Sequence, residues 1–552
     1  MNSTPQNGAH ARRHRPLRGE LCPQRLSRPG LLVGLTALIW LLLRTGAKPS
    51  RLGYPCQQSA LAIAAGAVGV PLTAALVAGR VGLLRFMRST TGKLCGGFIA
   101  ASLLIMFAAA SYETAPAAVE TLLAPSEYQP DIYFVRYSRG SDGPRFGGID
   151  DLVTLMGASG LKLHRSQTTT PAAGPAGLID ADDVVLIKIN AQWAERGGTN
   201  TDLLRGLIQR IVEHADGFVG EIVIADNGQG AGRLDRTDNN AEDRTQSPQR
   251  VAYEFAEGGF RVSAFLWDGI RHSSVGEYAD GNYESGYVVN PVYDPETAVR
   301  VSYPKFRTAY GTYLSYKHGI WDQDRAIYEA DRLVVINLPV LKTHSIYGVT
   351  AAVKNHMGVV SQALSTDSHN GVGRGGLGSV MADVRMPNLN ILDCVWILAA
   401  PGSGPAASYA AADFRNQLAA SVDPVALDAW SVRHILLPQL AQNGFQPVQY
   451  WAQDPDNPAG KFRQYLDRTL NELLIAGRPC TNDDSSARLH VWSGDLDRDG
   501  DLDLRDFAVV PGCFQDSDAL PHVCGEFDYD LNGQLDLRDF AALQRQYTGA
   551  YQ

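Results

Sequence analysis

Cysteine is scarce in this sequence: the 552 residues include seven, and no two of them have the C-x-x-C spacing of a ferredoxin-type cluster. We therefore expect no iron–sulphur cluster. The G-x-S-x-G and H-E-x-x-H motifs are also missing, so the sequence gives no support for a serine hydrolase or a zinc protease of those classes. The net charge of -9 at pH 7 argues against general nucleic-acid binding, and we expect no nucleic-acid partner.

Acidic residues are missing from the N-terminal region, because none occurs between Glu20 and Glu113. Basic residues fill the gaps between three apolar stretches, at about 31–43, 59–77 and 94–112. About twenty apolar residues span a bilayer, and basic loops favour the cytoplasmic side. The pattern predicts an integral, multi-pass cell-membrane protein with its later domains outside the cytoplasm. The predicted parts are a basic tail over 1–30, three transmembrane helices within 31–112 and a linker over 113–130.

The first apolar stretch, 31–43, leaves an alternative open because it is short for a transmembrane helix. It could be a cleaved signal peptide with a basic N-terminal region. If it does not span the membrane, the soluble part of the chain falls on the cytoplasmic side.

The central part, 131–474, alternates short apolar runs rich in β-forming residues with amphipathic helical patterns. Strand–helix alternation is typical of a largely parallel sheet covered on both faces by helices. The predicted strands are 184–190, 221–226, 260–266, 332–339 and 389–398, and the predicted helices include 201–215 and 423–436. The polar run 230–250 is predicted to be a solvated insertion.

A cluster of basic and amide residues follows the strand predicted at 332–339. In α/β sheets, ligands collect at the carboxyl ends of the strands, and Lys and His there can hold an anion or transfer protons. The alternative is that Lys342 and Lys354 are the solvated ends of a strand and a helix. An acidic residue at another strand or helix end would orient a base or hold a metal. The candidate catalytic residues are Lys342, His344, Lys354, Asn355, Asp393 and Asp423.

The segment 338–360, LPVLKTHSIYGVTAAVKNHMGVV, resembles the family named domain of unknown function 362. The resemblance extends over about 184–434 and implies an α/β fold with a polar pocket, but no reaction. Many relatives also carry a ferredoxin-type segment, for which this chain has no cysteines. The residues that match the polar signature of the family are Lys188, Asn190, Lys342, His344, Lys354, Asn355, Asp393, Asp423 and Asp428.

Two Asp-rich segments near the C-terminus, 495–506 and 528–539, share the same spacing of oxygen-bearing side chains. Gly500 and Gly533 occupy the position of the sharp turn in a calcium loop. The alternative is a pair of ordinary Asp-rich surface turns. The pattern predicts two Ca²⁺ sites. Their predicted ligands are Asp495, Asp497, Asp499, Asp501, Asp503 and Asp506 in the first loop, and Asp528, Asp530, Asn532, Gln534, Asp536 and Asp539 in the second.

A calcium loop followed by one helix, duplicated over 494–546, resembles the type I dockerin module of secreted bacterial proteins. The resemblance implies a cohesin-like protein or a surface polysaccharide as partner. Leu504–Arg505 and Leu537–Arg538 stand where cohesin-binding dockerins commonly have Ser-Thr, which departs from a conventional cohesin contact. Cys513 and Cys524 lie between the loops at a spacing that suits a disulfide. The predicted parts here are a linker over 475–493 and the module over 494–552.

The sequence as a whole predicts an α/β domain, N-terminal transmembrane helices and a small C-terminal α-helical calcium-loop domain. The predicted function is that of a membrane-anchored, extracytoplasmic protein with a calcium-binding module and an α/β domain whose reaction does not follow from the sequence. One hypothesis is that this domain is an enzyme acting on an anionic substrate. The alternative is a non-enzymatic surface scaffold or binding protein, linked to polysaccharide binding or breakdown through the calcium module.

Overall fold

The computed structural model describes residues 128–136, 140–143, 145–365, 367–492, 504–508, 527–529 and 535–546. All of them belong to the second of two compact units of the chain, Ala118–Gln552.

The prediction of transmembrane helices is corrected by the structure. No helix within the described residues is long and apolar enough to cross a bilayer. The longest described helix, Lys461–Ile475, has 15 residues, whereas a span needs about twenty consecutive apolar residues. A multi-pass membrane protein with extracytoplasmic domains is therefore not supported. The stretches within 31–112 on which that prediction was based lie outside the described residues.

The strands of the described residues are mostly short. In chain order they are β1 (Asp131–Val135), β2 (Ser141–Asp142), β3 (Arg145–Phe146), β4 (His164–Arg165), β5 (Ala173–Gly174), β6 (Val184–Lys188), β7 (Glu221–Asp226), β8 (Val262–Leu266), β9 (Gly286–Val289), β10 (Ser302–Arg307), β11 (Tyr313–Ser315), β12 (Gly319–Asp322), β13 (Ile327–Glu329), β14 (Leu333–Asn337), β15 (Val340–His344), β16 (Gly348–Thr350), β17 (Leu389–Leu398), β18 (Asp413–Ser421) and β19 (Arg488–Trp492).

The α-helices of the described residues alternate with these strands. They are α1 (Gly147–Ala158), α2 (Thr201–Val212), α3 (Pro248–Glu257), α4 (Ala352–Asn355), α5 (Ser368–Gly371), α6 (Gly376–Asp383), α7 (Pro424–Ser431), α8 (Leu437–Gln442), α9 (Lys461–Ile475), α10 (Leu504–Phe507) and α11 (Leu537–Gln546).

One large mixed sheet forms the centre of the fold, in the order β19-β1-β18-β17-β14-β6-β7-β8. Neighbouring strands from β17 to β8 are parallel, and β18 runs antiparallel to both β17 and β1. Strand β19, which lies within the segment predicted to be a linker, pairs with β1 at one edge. The α/β architecture with a large sheet is therefore present.

Both faces of the large sheet are buried because the side chains of each strand alternate between two apolar clusters. In β6, Val185 and Ile187 pack with Leu207 of α2 on one face. Val184 and Leu186 point to the opposite face, where they belong to the same cluster as Phe306 of β10. Continuous apolar strands of this kind are typical of parallel sheets covered on both sides.

A second sheet, antiparallel and five-stranded, is inserted between β8 and β14 in the order β13-β12-β11-β10-β9. No pattern in the sequence predicts this sheet. Its strands are three to six residues long and include polar residues such as Lys305 and Ser315, which are buried. Short strands without a long apolar run leave little periodicity to detect.

Strand β15 extends the sheet beyond the carboxyl end of β14. Strand β14 pairs with the first residues of β17 at Leu389 and Asn390, and β15 pairs further along β17, opposite Asp393. A tight hairpin then joins β15 to β16, with Lys342 opposite Thr350. Helix α4 follows within two residues, so the chain passes the same end of the sheet twice within a short segment.

Candidate functional site

A buried ion pair lies at the carboxyl ends of β6 and β7. Lys188 Nζ is 2.9 Å from Asp226 Oδ1, and it also donates to the carbonyl of Ile189 at 2.8 Å. The other oxygen of Asp226 accepts from the amide of Ala191 at 2.8 Å. Burial lowers the pKa of Lys188 and raises that of Asp226, while the charge of each partner opposes the shift of the other.

Lys342 lies beside this pair, on β15, and its side chain is fully buried. Its Nζ donates to the carbonyl of Gly197 and lies 5.9 Å from the centre of the Trp193 ring. Burial, together with the nearby positive charge of Lys354, lowers the pKa of Lys342 to about 7. Lys342 is therefore an amine that loses its proton near neutral pH, well below the range of an exposed lysine.

Lys354 is the third buried lysine of the group, on α4. Its Nζ lies 5.5 Å from the ring centre of Tyr347, and it forms no hydrogen bond or ion pair with any other residue in the described part of the chain. Burial lowers the pKa of Lys354 to about 8, and the charge of Lys188 acts in the same direction. We call Lys188, Lys342 and Lys354 the lysine cluster.

His344, two residues after Lys342, is a neutral hydrogen-bond donor in this environment. Its Nδ1 accepts from the backbone amides of Ile346 and Tyr347 at 3.1 and 3.3 Å. Because an amide can only donate, the ring proton must be on Nε2. Burial lowers the pKa of His344 to about 2, and the charge of Lys354 also lowers it. His344 is thus not a charged member of the cluster.

Asp393 supplies a second carboxylate near the cluster, from β17. It accepts from Asn240 Nδ2 at 2.7 Å and from the amide of Val395 at 2.9 Å. Burial raises the pKa of Asp393 to about 6, while Arg196 and Lys342 are among the groups that oppose this rise. The site therefore combines three lysines with the carboxylates of Asp226 and Asp393.

The prediction that the polar run 230–250 is a solvated insertion is wrong for its buried residues. Asn239 and Asn240 are buried, and Asn240 is the residue that holds Asp393. Asn239 accepts from Thr201 Oγ1 at 3.1 Å. These contacts turn part of the insertion into a cover over the carboxyl ends of the strands.

Residues 317–433 match the family model Domain of unknown function (DUF362). The DUF362 segment contains Lys342, His344, Lys354 and Asp393, whereas Lys188 and Asp226 precede it. No curated protein and no solved structure matches the chain. The match supports the resemblance of the central domain, and the description of the family carries no reaction.

Asn355, a predicted catalytic residue of the DUF362 segment, has its side chain bound in a buried hydrogen-bond network. Its Nδ2 donates to Asn337 Oδ1 at 2.8 Å, and Asn337 donates in turn to the Ala352 carbonyl and to Asn390 at 3.0 and 2.9 Å. This buried amide ladder fixes α4 to the sheet. Asp428 does the same from α7, because its carboxylate accepts from the amides that begin α4.

Asp423 is not brought to the lysine cluster as a base or metal ligand. Its Oδ1 accepts from the amides of Val425 and Ala426 at 2.8 and 3.0 Å, and its Oδ2 accepts from the amide of Thr481. The side chain is the N-cap of α7. A carboxylate at this position satisfies amides that a helix start leaves without partners.

Several residues of the site are absent from the candidates that the sequence offers. Asp226 ends an apolar run, so its position at the carboxyl end of a strand was a usable signal. His369, which lies 5.5 Å from the Tyr347 ring, and Asn240 had no such signal, because long-range folding of loops brings them in.

The predicted calcium sites are also corrected. No group of three or more His, Cys, Asp or Glu residues that could hold a metal occurs within the described residues. In the second loop, Asp539 accepts from the amides of Tyr529 and Asp536 at 2.7 and 2.8 Å. The last predicted ligand of the second loop therefore accepts hydrogen bonds from backbone amides of its own loop. Most other predicted ligands, and both cysteines of the predicted Cys513–Cys524 disulfide, lie outside the described residues.

A second polar group lies at the amino end of β1. His490 Nε2 is 2.8 Å from Asp131, and its Nδ1 is 2.9 Å from Ser159 Oγ. Asp131 and Ser159 line a surface cavity of about 280 Å³. Although a serine hydrolase uses the same three residue types, Ser159 follows the carboxyl end of α1, where the helix dipole opposes an alkoxide. The amides of Gly160 and Leu161 are bonded to helix carbonyls, so they do not form an oxyanion hole.

Proposed function

We propose that the α/β domain is an enzyme that acts on a small anionic substrate bound at the lysine cluster. The observation that carries the proposal is the burial of Lys188, Lys342 and Lys354 together, with residue exposures of 1%, 0% and 6%. A buried charge is costly unless a partner offsets it. Within the described residues, Lys188 forms an ion pair with Asp226, and Lys342 and Lys354 have no carboxylate within 4.0 Å.

An anion would supply the missing partner. Its charge would favour the protonated forms of Lys342 and Lys354, so their pKa values would rise from about 7 and about 8. Binding would therefore be accompanied by proton uptake. Functional sites often keep such shifted groups at a cost in stability.

The test is calorimetric titration of the full chain at about pH 8 with phosphate, sulfate and short carboxylic acids. Repeating each titration in buffers of different ionisation enthalpy measures the protons taken up. We expect binding with proton uptake that is weakened in Lys342→Met and Lys354→Met. The exposed Lys461 provides the matched control, Lys461→Met. Binding without proton uptake, or binding that both cluster variants retain, would contradict the proposal.

The alternative is a non-enzymatic binding or scaffold protein that uses its C-terminal region. One observation favours a structural role for the repeat: Phe507 and Phe540, at equivalent positions of the two segments, have ring centres 5.9 Å apart. We propose that 494–546 is a dockerin-like module whose two helices pack together through Phe507 and Phe540. Its partner would be a cohesin-like protein or a polysaccharide. A double-mutant cycle of Phe507→Ala and Phe540→Ala should show coupling. Truncation after β19 should abolish partner binding under this alternative, and lysine variants should not affect it.

A further inference from the structure

The three amines of the lysine cluster do not have equal contacts. Lys188 is bonded to Asp226 and to the Ile189 carbonyl, and Lys342 is bonded to the Gly197 carbonyl. Lys354 has no hydrogen bond or ion pair among the described residues, although its residue is only 6% exposed. A buried amine without a partner keeps its lone pair available for reaction whenever it is neutral.

The surroundings of Lys354 favour the neutral form. Lysines become nucleophiles when they are desolvated or placed beside another cation, and Lys188 and Lys342 are such neighbours. His344 and Lys354 both lie against Tyr347, with the His344 ring centre 5.6 Å from that of Tyr347. The Nε2–H of His344 is a donor that could polarise a carbonyl oxygen.

We propose that Lys354 forms an imine with the carbonyl group of a small oxo acid whose carboxylate is held by Lys342 and Lys188. This inference rests on the proposed function, and it adds the class of substrate and the covalent step. The two bonded lysines serve as the anion site because their positions are fixed by β6 and β15. The unbonded lysine is the one free to move onto the carbonyl carbon.

The step balances without an additional reactant. The Lys354 lone pair forms a bond to the carbonyl carbon, and the carbonyl π pair moves to oxygen, which takes up the proton released by nitrogen. The hydroxyl then takes up the second proton of the amine and leaves as water, while the nitrogen lone pair forms the C=N bond. Added borohydride would deliver hydride to the imine carbon, and a solvent proton would complete a stable secondary amine.

The test uses glyoxylate, the smallest oxo acid, with the full chain and borohydride at neutral pH, followed by peptide mass spectrometry. We expect a carboxymethyl adduct on Lys354 that forms at least about tenfold faster than on exposed Lys461. Lys354→Arg keeps a cation but cannot form the imine, so it should lose the adduct, and its acetate binding is measured beside that of the wild type. Lys461→Arg should leave both unchanged.

The outcomes separate this inference from the proposed function. Acetate binding with proton uptake, combined with no adduct on Lys354 or equal labelling of exposed lysines, would overturn the imine while leaving the anion site. An adduct on Lys342 or Lys188 in place of Lys354 would also overturn it. Absence of both anion binding and labelling would remove both proposals. Peptide mass spectrometry of the labelled wild type identifies the reacting lysine on its own. The test therefore does not depend on whether Lys354→Arg folds.

Discussion

Replacing Lys342 by Met should make the stability of the protein less dependent on pH above neutrality. Burial and the charge of Lys354 lower the pKa of Lys342 from 10.5 to about 7 in the folded protein. Between these two values the unfolded chain binds one more proton than the folded chain, so wild-type stability rises with pH there. Met is similar in length to Lys but has no titratable group. The Lys342→Met variant therefore lacks this pH-dependent contribution to stability.

The magnitude follows from the size of the shift. One pKa unit corresponds to about 1.4 kcal/mol, so Lys342 costs the folded state up to about 5 kcal/mol at low pH, where the buried amine stays charged. Between pH 7 and pH 9, the free energy of unfolding of the wild type should rise by about 2 kcal/mol relative to Lys342→Met. At pH 7 the variant should be as stable as the wild type or more stable, since it lacks the buried amine.

The assay is urea unfolding of the full-length wild type and variant at pH 7, 8 and 9, followed by circular dichroism. Lys461→Met, at an exposed helix start, controls for the loss of a lysine in general and should show a constant difference from the wild type. A difference between Lys342→Met and the wild type that does not change over this pH range would refute the reasoning. It would mean that Lys342 is solvated or ion-paired in the folded protein.

Two further predictions concern the packing around the cluster. Gly358→Ala should destabilise the fold by about 2 kcal/mol or more in urea unfolding, because the added Cβ would lie 2.1 Å from Asp226 Oδ1 and 2.5 Å from Lys188 Nζ. Gly269→Ala, with open space around its Cβ, is the matched control, and equal costs for the two would contradict the close approach. Asn337→Ala should cost about 3 kcal/mol because it leaves several buried polar partners unsatisfied; a loss below about 1 kcal/mol would show that water replaces the amide.

The sequence alone predicted those strands and helices that have a clear apolar or amphipathic pattern within their own residues. The apolar runs at 221–226 and 389–398 coincide with β7 and β17, and the amphipathic pattern from Thr201 begins where α2 begins. Such runs report burial directly, since each strand of a covered sheet is apolar on both faces. The sequence also placed Lys342 after the end of β14, but it did not predict β15, the strand that contains Lys342.

The role of Asp423 shows where local reading went wrong although a local signal existed. An Asp directly before Pro424 is a common helix start, and the structure gives its carboxylate to backbone amides. The transmembrane and calcium predictions had a different weakness. They depended on composition and spacing in segments that lie largely outside the described residues.

Only the tertiary structure decided which polar groups meet. Strand order places Lys188 of β6 beside Asp226 of β7 and next to β14, and the extension of β15 along β17 brings Lys342 to the same edge. Neither the burial of these amines nor the absence of a hydrogen-bonding partner for Lys354 within the described residues can be read from neighbours in sequence. The reason is physical: a pKa depends on all charges and solvent within several ångströms, and folding brings those groups together from distant parts of the chain.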